Sequence, residues 1–253
     1  MRVVVGGVSQ LYQGDLDFGR HAVESLSSLE WSLDVVVEDF HYGAVAVSQR
    51  LDDLEPDALI LVGAEARGRP PGTLHRTRVD RGVPDVAQAR DSVEAAVTGY
   101  VTIDLLIDVV KVLGSAPGRI VVFEVEPKTT GPSSEMSEEA VEALGVVIGA
   151  LKKEVELTPL FILCDHLRRA LSDHHLDGSS SVRSLMAMLA QLEIVEEGGV
   201  WGKVFSLRDR LRWEISRGET SENMSQLDWS LWWSLIEELD RLQKEEAAAT
   251  SGA

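Results

Sequence analysis

Residues 1–26 read MRVVVGGVSQLYQGDLDFGRHAVESL. Val3, Val4 and Val5 form an apolar, β-branched run that enters a turn at Gly6-Gly7. An acidic loop follows at Gly14-Asp15-Leu16-Asp17, and then Gly19, Ala22, Val23 and Leu26 recur at helical spacing. Strand, polar loop and helix in that order open an α/β domain, whose functional loops gather at the carboxyl ends of its strands.

The alternation continues outward to residue 156. Residues 33–37 form a second apolar run entering the acidic pair Glu38-Asp39, and residues 44–54 are amphipathic. Residues 58–63 (ALILVG) read as a buried strand closed by glycine, residues 92–113 as one long helix, and residues 120–125 as a further strand. Residues 137–153 read as a helix with Ser137 as its N-cap. Strands separated by helical segments predict a three-layer α/β sandwich around a mixed, mostly parallel sheet.

Residues 157–253 change character and read as a separate C-terminal extension. Residues 159–171 are amphipathic, 174–181 polar and turn-like, and 182–192 helical. Residues 194–205 read as two strands joined at Gly198-Gly199, so two helices and a hairpin predict a winged-helix-like module. A last helix, 228–244, places Trp229, Trp232, Trp233, Ile236, Leu239 and Leu242 on one stripe, and residues 247–253 read as disordered. The tryptophan stripe either closes a core or offers a docking face for self-association, since tryptophan is enriched in binding hot spots.

Composition narrows the function classes. The 253 residues carry 24 Lys and Arg against 42 Asp and Glu, a net charge of −18, which disfavours nonspecific binding to nucleic acid or to an anionic membrane. The single Cys164 excludes an internal disulfide and any multi-cysteine metal site. Neither a leader pattern nor an apolar run of spanning length is present, so the expectation is a cytoplasmic protein without membrane contact.

Several constellations read as structural. Cys164 lies on an apolar helical face as a small core residue, and its neighbours Asp165 and His166 gain nothing from adjacency alone. His174-His175-x-Asp177 lacks the helical spacing of a zinc pair. Arg208, Arg210, Arg212 and Arg217 are diluted by Asp209 and Glu214, which favours a solvated helix over a DNA-binding face.

The order of the N-terminal motifs resembles that of the hydrogenase maturation endopeptidases, which trim the large subunit of nickel–iron hydrogenases. Gly6, Asp15, Gly19 and the helical Ala22-Val23-Glu24-x-Leu26 carry the opening of that resemblance. Asp39 matches an acidic position near the family's glycine-rich specificity loop, which makes Asp39, Tyr42 and Gly43 the candidate substrate-binding residues. Residues 58–63 followed by Pro71-Gly72-Thr73, and residues 120–127, match two further strands with their endings.

The resemblance implies three metal-contacting positions, and they hold Leu16, Gly63 and Gly99 here, none with a side-chain donor for nickel. A site rebuilt from neighbours would draw on Asp15, Asp17, Glu65 and His41, with Tyr100, Asp104 and Asp108 around the same sheet edge. Three readings follow. The first is a divergent, noncatalytic relative that binds a hydrogenase subunit or related protein client during assembly. The second is an active metal-dependent endopeptidase with displaced acidic ligands, which would take nickel. The third is a DNA-binding regulator acting through the C-terminal module.

Overall fold

Val3, Val4 and Val5 lie at the heart of β1 (Arg2–Val8), which pairs in parallel with β2 (Asp34–Asp39) on one side and β3 (Ala58–Ala64) on the other. β3 pairs in parallel with β5 (Arg119–Val125), and β4 (Leu74–Arg78) runs antiparallel along the outer side of β5. The sheet order is β2-β1-β3-β5-β4. This computed structural model describes every residue except 81, 83, 98, 100, 174–179, 197–200, 220–227 and 252–253. The chain falls into two compact units, Met1–Glu156 and Leu157–Ala253.

In the first unit, period-two alternation sends successive residues to opposite faces. Val3, Val5, Ile60, Val62, Val121 and Phe123 pack with α1 (Phe18–Leu26) and with the early turns of α5 (Glu138–Asp173). Val4, Leu59, Leu61, Ile120 and Val122 pack with α2 (Ala44–Leu54) and α4 (Ile103–Leu113). The result is the expected three-layer α/β sandwich. α1 approaches β1 so closely that a Cβ on Gly19 would lie 2.4 Å from the Val8 carbonyl oxygen, and one on Gly7 2.3 Å from the Gly19 carbonyl oxygen. Only glycine fits this crossing.

Two features of the first unit differ from the sequence reading. β4 (LHRTR) was not expected, because its polar, arginine-rich pattern lacks the apolar alternation of a half-buried strand. It sits at an edge, where charged residues are tolerated. The single helix expected over 92–113 is two, α3 (Val86–Ala96) and α4. Gly99 adopts φ +75° between them, and the Thr102 side chain caps α4 by accepting from Leu105 N–H.

The second unit is helical in its described residues. The later part of α5, with α6 (Ser180–Glu196), α7 (Trp201–Glu219) and α8 (Trp229–Ser251), shares a core that includes Leu160, Leu167, Leu185, Leu189, Leu211, Ile215 and Trp232. The boundary between the units falls within α5, just before Pro159. The expected hairpin is corrected: residues 194–196 close α6 and 201–205 open α7, while 197–200 lie outside the described residues. The buried Leu185, Met188, Leu189 and Leu192 recur at helical spacing through α6, and the helix runs on through the β-branched Ile194-Val195 despite their strand propensity. α8 also runs through the alanine-rich stretch expected to be disordered, in keeping with the high helix propensity of alanine. Among the described residues no helix is long and apolar enough to cross a membrane.

Candidate functional site

In an open α/β sheet, ligands bind where the chain reverses its strand order, in the crevice beyond the carboxyl ends of the diverging strands. With the order β2-β1-β3-β5-β4, that point lies between β1 and β3. The loops following β1, β2, β3 and β5 all leave at this edge.

The β1 loop is tied across the edge to the loop after β5. Asp15 is fully buried, and its carboxylate accepts from the backbone N–H of Lys128 (2.7 Å), Thr129 (2.9 Å) and Ser137 (2.6 Å) and from the Ser137 hydroxyl (2.8 Å). Burial opposes its charge, but these hydrogen bonds outweigh burial and hold its pKa below the usual carboxylate value. Backbone bonds reinforce the tie, from Asp15 N–H to the Thr129 carbonyl (3.0 Å) and from Gly14 N–H to the Ser133 carbonyl (3.1 Å). Asp17, also buried, is clamped by Arg20, whose Nη2 lies 2.5 Å from Oδ2 and whose Nε lies 3.1 Å from Oδ1. Both carboxylates are consumed by the fold.

After β2, Asp39 accepts from the Ser9 hydroxyl (3.2 Å) and pairs with His41 Nδ1 (3.0 Å). Burial raises the Asp39 pKa, against the pull of His41 and Ser9. Tyr42 donates its hydroxyl to Glu38 (2.9 Å), which Arg50 also holds, and Gly43 at φ +102° caps the start of α2. Burial and the bond to Glu38 raise the Tyr42 pKa. Asp39, Tyr42 and Gly43 therefore lie on one loop, as expected from their positions in the sequence.

After β3, Glu65 accepts from Ile103 N–H (2.9 Å) at the start of α4, and burial raises its pKa. Arg67 makes paired 2.8 Å bonds to Asp104 and a 2.7 Å bond to Glu124, while Arg69 reaches Glu124 (2.9 Å) and Glu126. Glu126 also accepts the N–H groups of Arg67 and Gly68, which outweigh burial and lower its pKa. Sequence reading passed over this network. Its available signal was the run 66–79, which holds four arginines and no acid, together with Glu124 and Glu126 at the end of an otherwise apolar strand. The network borders a groove of about 800 Å³ that also involves His75, Arg78 and Asp108.

The positions at which the resemblance implies metal contacts do not fit a metal ion. Leu16 is partly buried and packs on the core. A Cβ on Gly63 would lie 2.7 Å from the carbonyl oxygen of Val8, its neighbour on β1, and 3.2 Å from Ile103 Cδ1, so a side chain at this position would meet backbone and an apolar side chain. Gly99 stands in open space at φ +75°, without a donor. Asp15, Asp17, Glu65 and His41 are not brought together as one ligand set: among the described residues no three His, Cys, Asp or Glu side chains converge to hold a metal ion. Asp104 is engaged by Arg67 and Asp108 accepts from Ser92 (3.0 Å), while Tyr100, His174, His175 and Asp177 lie outside the described residues.

In the second unit, Trp232 is buried, Trp229 and Trp233 pack partly buried against the same core, and Trp233 donates to Glu219 (2.7 Å). Cys164 is buried there as well. Arg208 and Arg212 pair with Asp240, and Arg217 pairs with Glu214.

No known family profile and no curated protein sequence matches this chain. Among solved structures it is similar to the hydrogenase 2 maturation peptidase of Thaumarchaeota archaeon SCGC_AB-539-E09, at 24% identity over 62% of this chain and 99% of that one, TM-score 0.44. It is similar to the [NiFe] hydrogenase maturation protease HycI of Thermococcus kodakarensis KOD1, at 20% identity over 61% and 92% of the chains, TM-score 0.47. It is also similar to the endopeptidase HycI of Escherichia coli, at 18% identity over 61% and 91%, TM-score 0.45. The first two are hydrogenase maturation proteases by name, the family that the sequence resembles.

Proposed function

We propose that this chain is a divergent hydrogenase maturation protease-like protein that binds a nickel–iron hydrogenase large subunit, or a related client, during assembly without cutting it. One observation carries the reading. At the end of β3 Gly63 offers no donor, and a side chain there would start 2.7 Å from the Val8 carbonyl oxygen and 3.2 Å from Ile103 Cδ1. The nearby acids support it, because Asp15 and Asp17 already spend their lone pairs on loop N–H groups and on Arg20. A protein partner suits the net charge of −18 better than nucleic acid does.

The test mixes the purified chain with a hydrogenase large-subunit precursor that still carries its C-terminal tail. Complex formation is followed by gel filtration, and the tail by intact-mass spectrometry. The expected result is a complex with the tail in place. Removal of the tail would instead support an active enzyme with displaced ligands. In that case Ni²⁺ and Zn²⁺ calorimetry on an Asp17→Asn, Glu65→Gln, His41→Ala variant would locate them. Absence of any complex would overturn the reading.

A further inference from the structure

The part of α5 that belongs to the first unit has an apolar side turned away from the core. From Ala140 to Leu151 the helix reads AVEALGVVIGAL, with Glu142 its one charged residue, whereas a helix on a domain surface normally carries a polar outer side. Ala140, Ala143, Val147 and Leu151 are buried in the core shared with β1, β3 and β5, which accounts for one side. On the other, Val141 is 54% and Val146 64% exposed, and Gly145 and Gly149 are exposed beside them.

At about 100° of rotation per residue, Val141, Glu142, Gly145, Gly149 and Lys152 share this outer face. A Cβ on Gly145 or Gly149 would meet nothing within 4 Å, so no packing inside the chain calls for glycine there, although each weakens the helix relative to alanine. Two glycines one turn apart do permit close approach by a second backbone. The exposed Glu142 and Lys152 flank that pair, and among the described residues neither makes a hydrogen bond or an ion pair.

We infer that this face docks on the same face of a second copy of the chain, the two α5 helices running antiparallel and crossing at Gly145 and Gly149. A twofold axis at the level of Val147 sets Gly145 opposite Gly149 of the second copy and Glu142 opposite its Lys152. Each unpaired carboxylate then meets an unpaired ammonium on both sides of the crossing. A parallel arrangement would set Glu142 against Glu142 and Lys152 against Lys152. Glu138 and Glu156 also come opposite each other, but about 13.5 Å from the crossing, where inclined helices diverge. The charge pattern is thus complementary to itself in one orientation, and the contact closes as a dimer. A single helix pair lies at the small end of specific interfaces, so the dissociation constant is on the order of micromolar.

Sedimentation velocity of the full chain from about 1 to about 200 μM measures the association, with circular dichroism of each variant alongside. The wild-type chain is expected to pass from monomer to dimer across this range. Glu142→Lys sets lysine against lysine, and Lys152→Glu sets carboxylate against carboxylate, so each alone should weaken dimerisation at least fivefold in a folded chain. The double exchange restores opposite charges and should return the affinity to within about twofold of wild type. An equimolar mixture of the two single variants should dimerise as well, because each supplies the charge that the other lacks. A chain that stays monomeric throughout would overturn the inference; if Glu142→Lys then lowered affinity for the large-subunit precursor, the face would belong to the client. Dimerisation that ignores both single exchanges, or that neither the double exchange nor the mixture restores, would overturn the antiparallel α5 contact.

Discussion

Asp15 and Ser137 lie 122 positions apart, and Ser137 gives both its backbone N–H (2.6 Å) and its hydroxyl (2.8 Å) to the Asp15 carboxylate. The same Ser137 hydroxyl accepts from Ala140 N–H (3.3 Å), so the residue that caps α5 also ties that helix to the loop after β1. Removing the carboxylate leaves three buried backbone donors poorly satisfied. Asp15→Ala is expected to lower stability by about 2–4 kcal/mol, read as a shift of the urea midpoint with an unchanged slope. Because the folded pKa is depressed, the stabilisation is present above the unfolded value near 3.9 and is lost as pH falls through the folded value. Acid unfolding of the wild-type chain should therefore steepen below about pH 4, and the variant should lack that component.

Glu65 behaves with the opposite sign. Burial raises its folded pKa, so its contribution is greatest at acid pH and declines as pH rises from the unfolded value through the folded one. Glu65→Gln keeps an acceptor for Ile103 N–H and removes the buried charge. Urea unfolding from pH 4 to 8 should show a flatter profile for this variant, with stability at neutral pH equal to wild type or higher by up to about 1 kcal/mol.

Gly63 admits no side chain without movement of Val8 or Ile103. Gly63→Ala should cost about 1–3 kcal/mol. Gly63→Asp, which places a carboxylate at this position, should cost more and still give no stoichiometric heat on titration with Ni²⁺. Tight one-to-one nickel binding by that variant would show that Val8 and Ile103 give way readily.

Trp232 is buried in the core of the second unit. Trp232→Ala is expected to cost about 3–5 kcal/mol there. Hydrogen exchange should then speed up in α7 and α8 while β1 and β3 keep their protection.

Most of the first unit was legible in the sequence because its strands are apolar on both faces and its helices carry a strong period. α2 lies on residues 44–54 as read, and β2, β3 and β5 differ from expectation only at their ends. β1 runs on through Gly6-Gly7, where a turn was expected, because those glycines pair with β2 and β3 on either side. β4 escaped because Arg76 is held by a partner distant in sequence, Glu154, and a strand stabilised that way carries no local apolar pattern. In the second unit, Ile194 and Val195 suggested strands because their preference reports packing context rather than backbone alone. For the candidate site, the loop of Asp39, Tyr42 and Gly43 was legible because its members are neighbours. The commitments of Asp15 to residues 128–137, and of Arg67 to Asp104 and Glu124, were not, because such pairings depend on loop paths that periodicity does not encode.

The antiparallel placement of β4 also orders events during synthesis. β4 precedes its sheet neighbour, β5, in the chain, with α3 and α4 between them. β5 emerges about 40 residues later, a wait of roughly 2–8 s at ribosomal rates. For that interval β4 is a strand without a mate, and β3 lacks cover along one edge. An apolar β4 would be drawn during the wait to the open edge of β3 or to another nascent chain. Arg76 and Arg78 keep it hydrated until β5 inserts between the two, so the composition that hid this strand from sequence reading also protects the order in which the sheet is assembled.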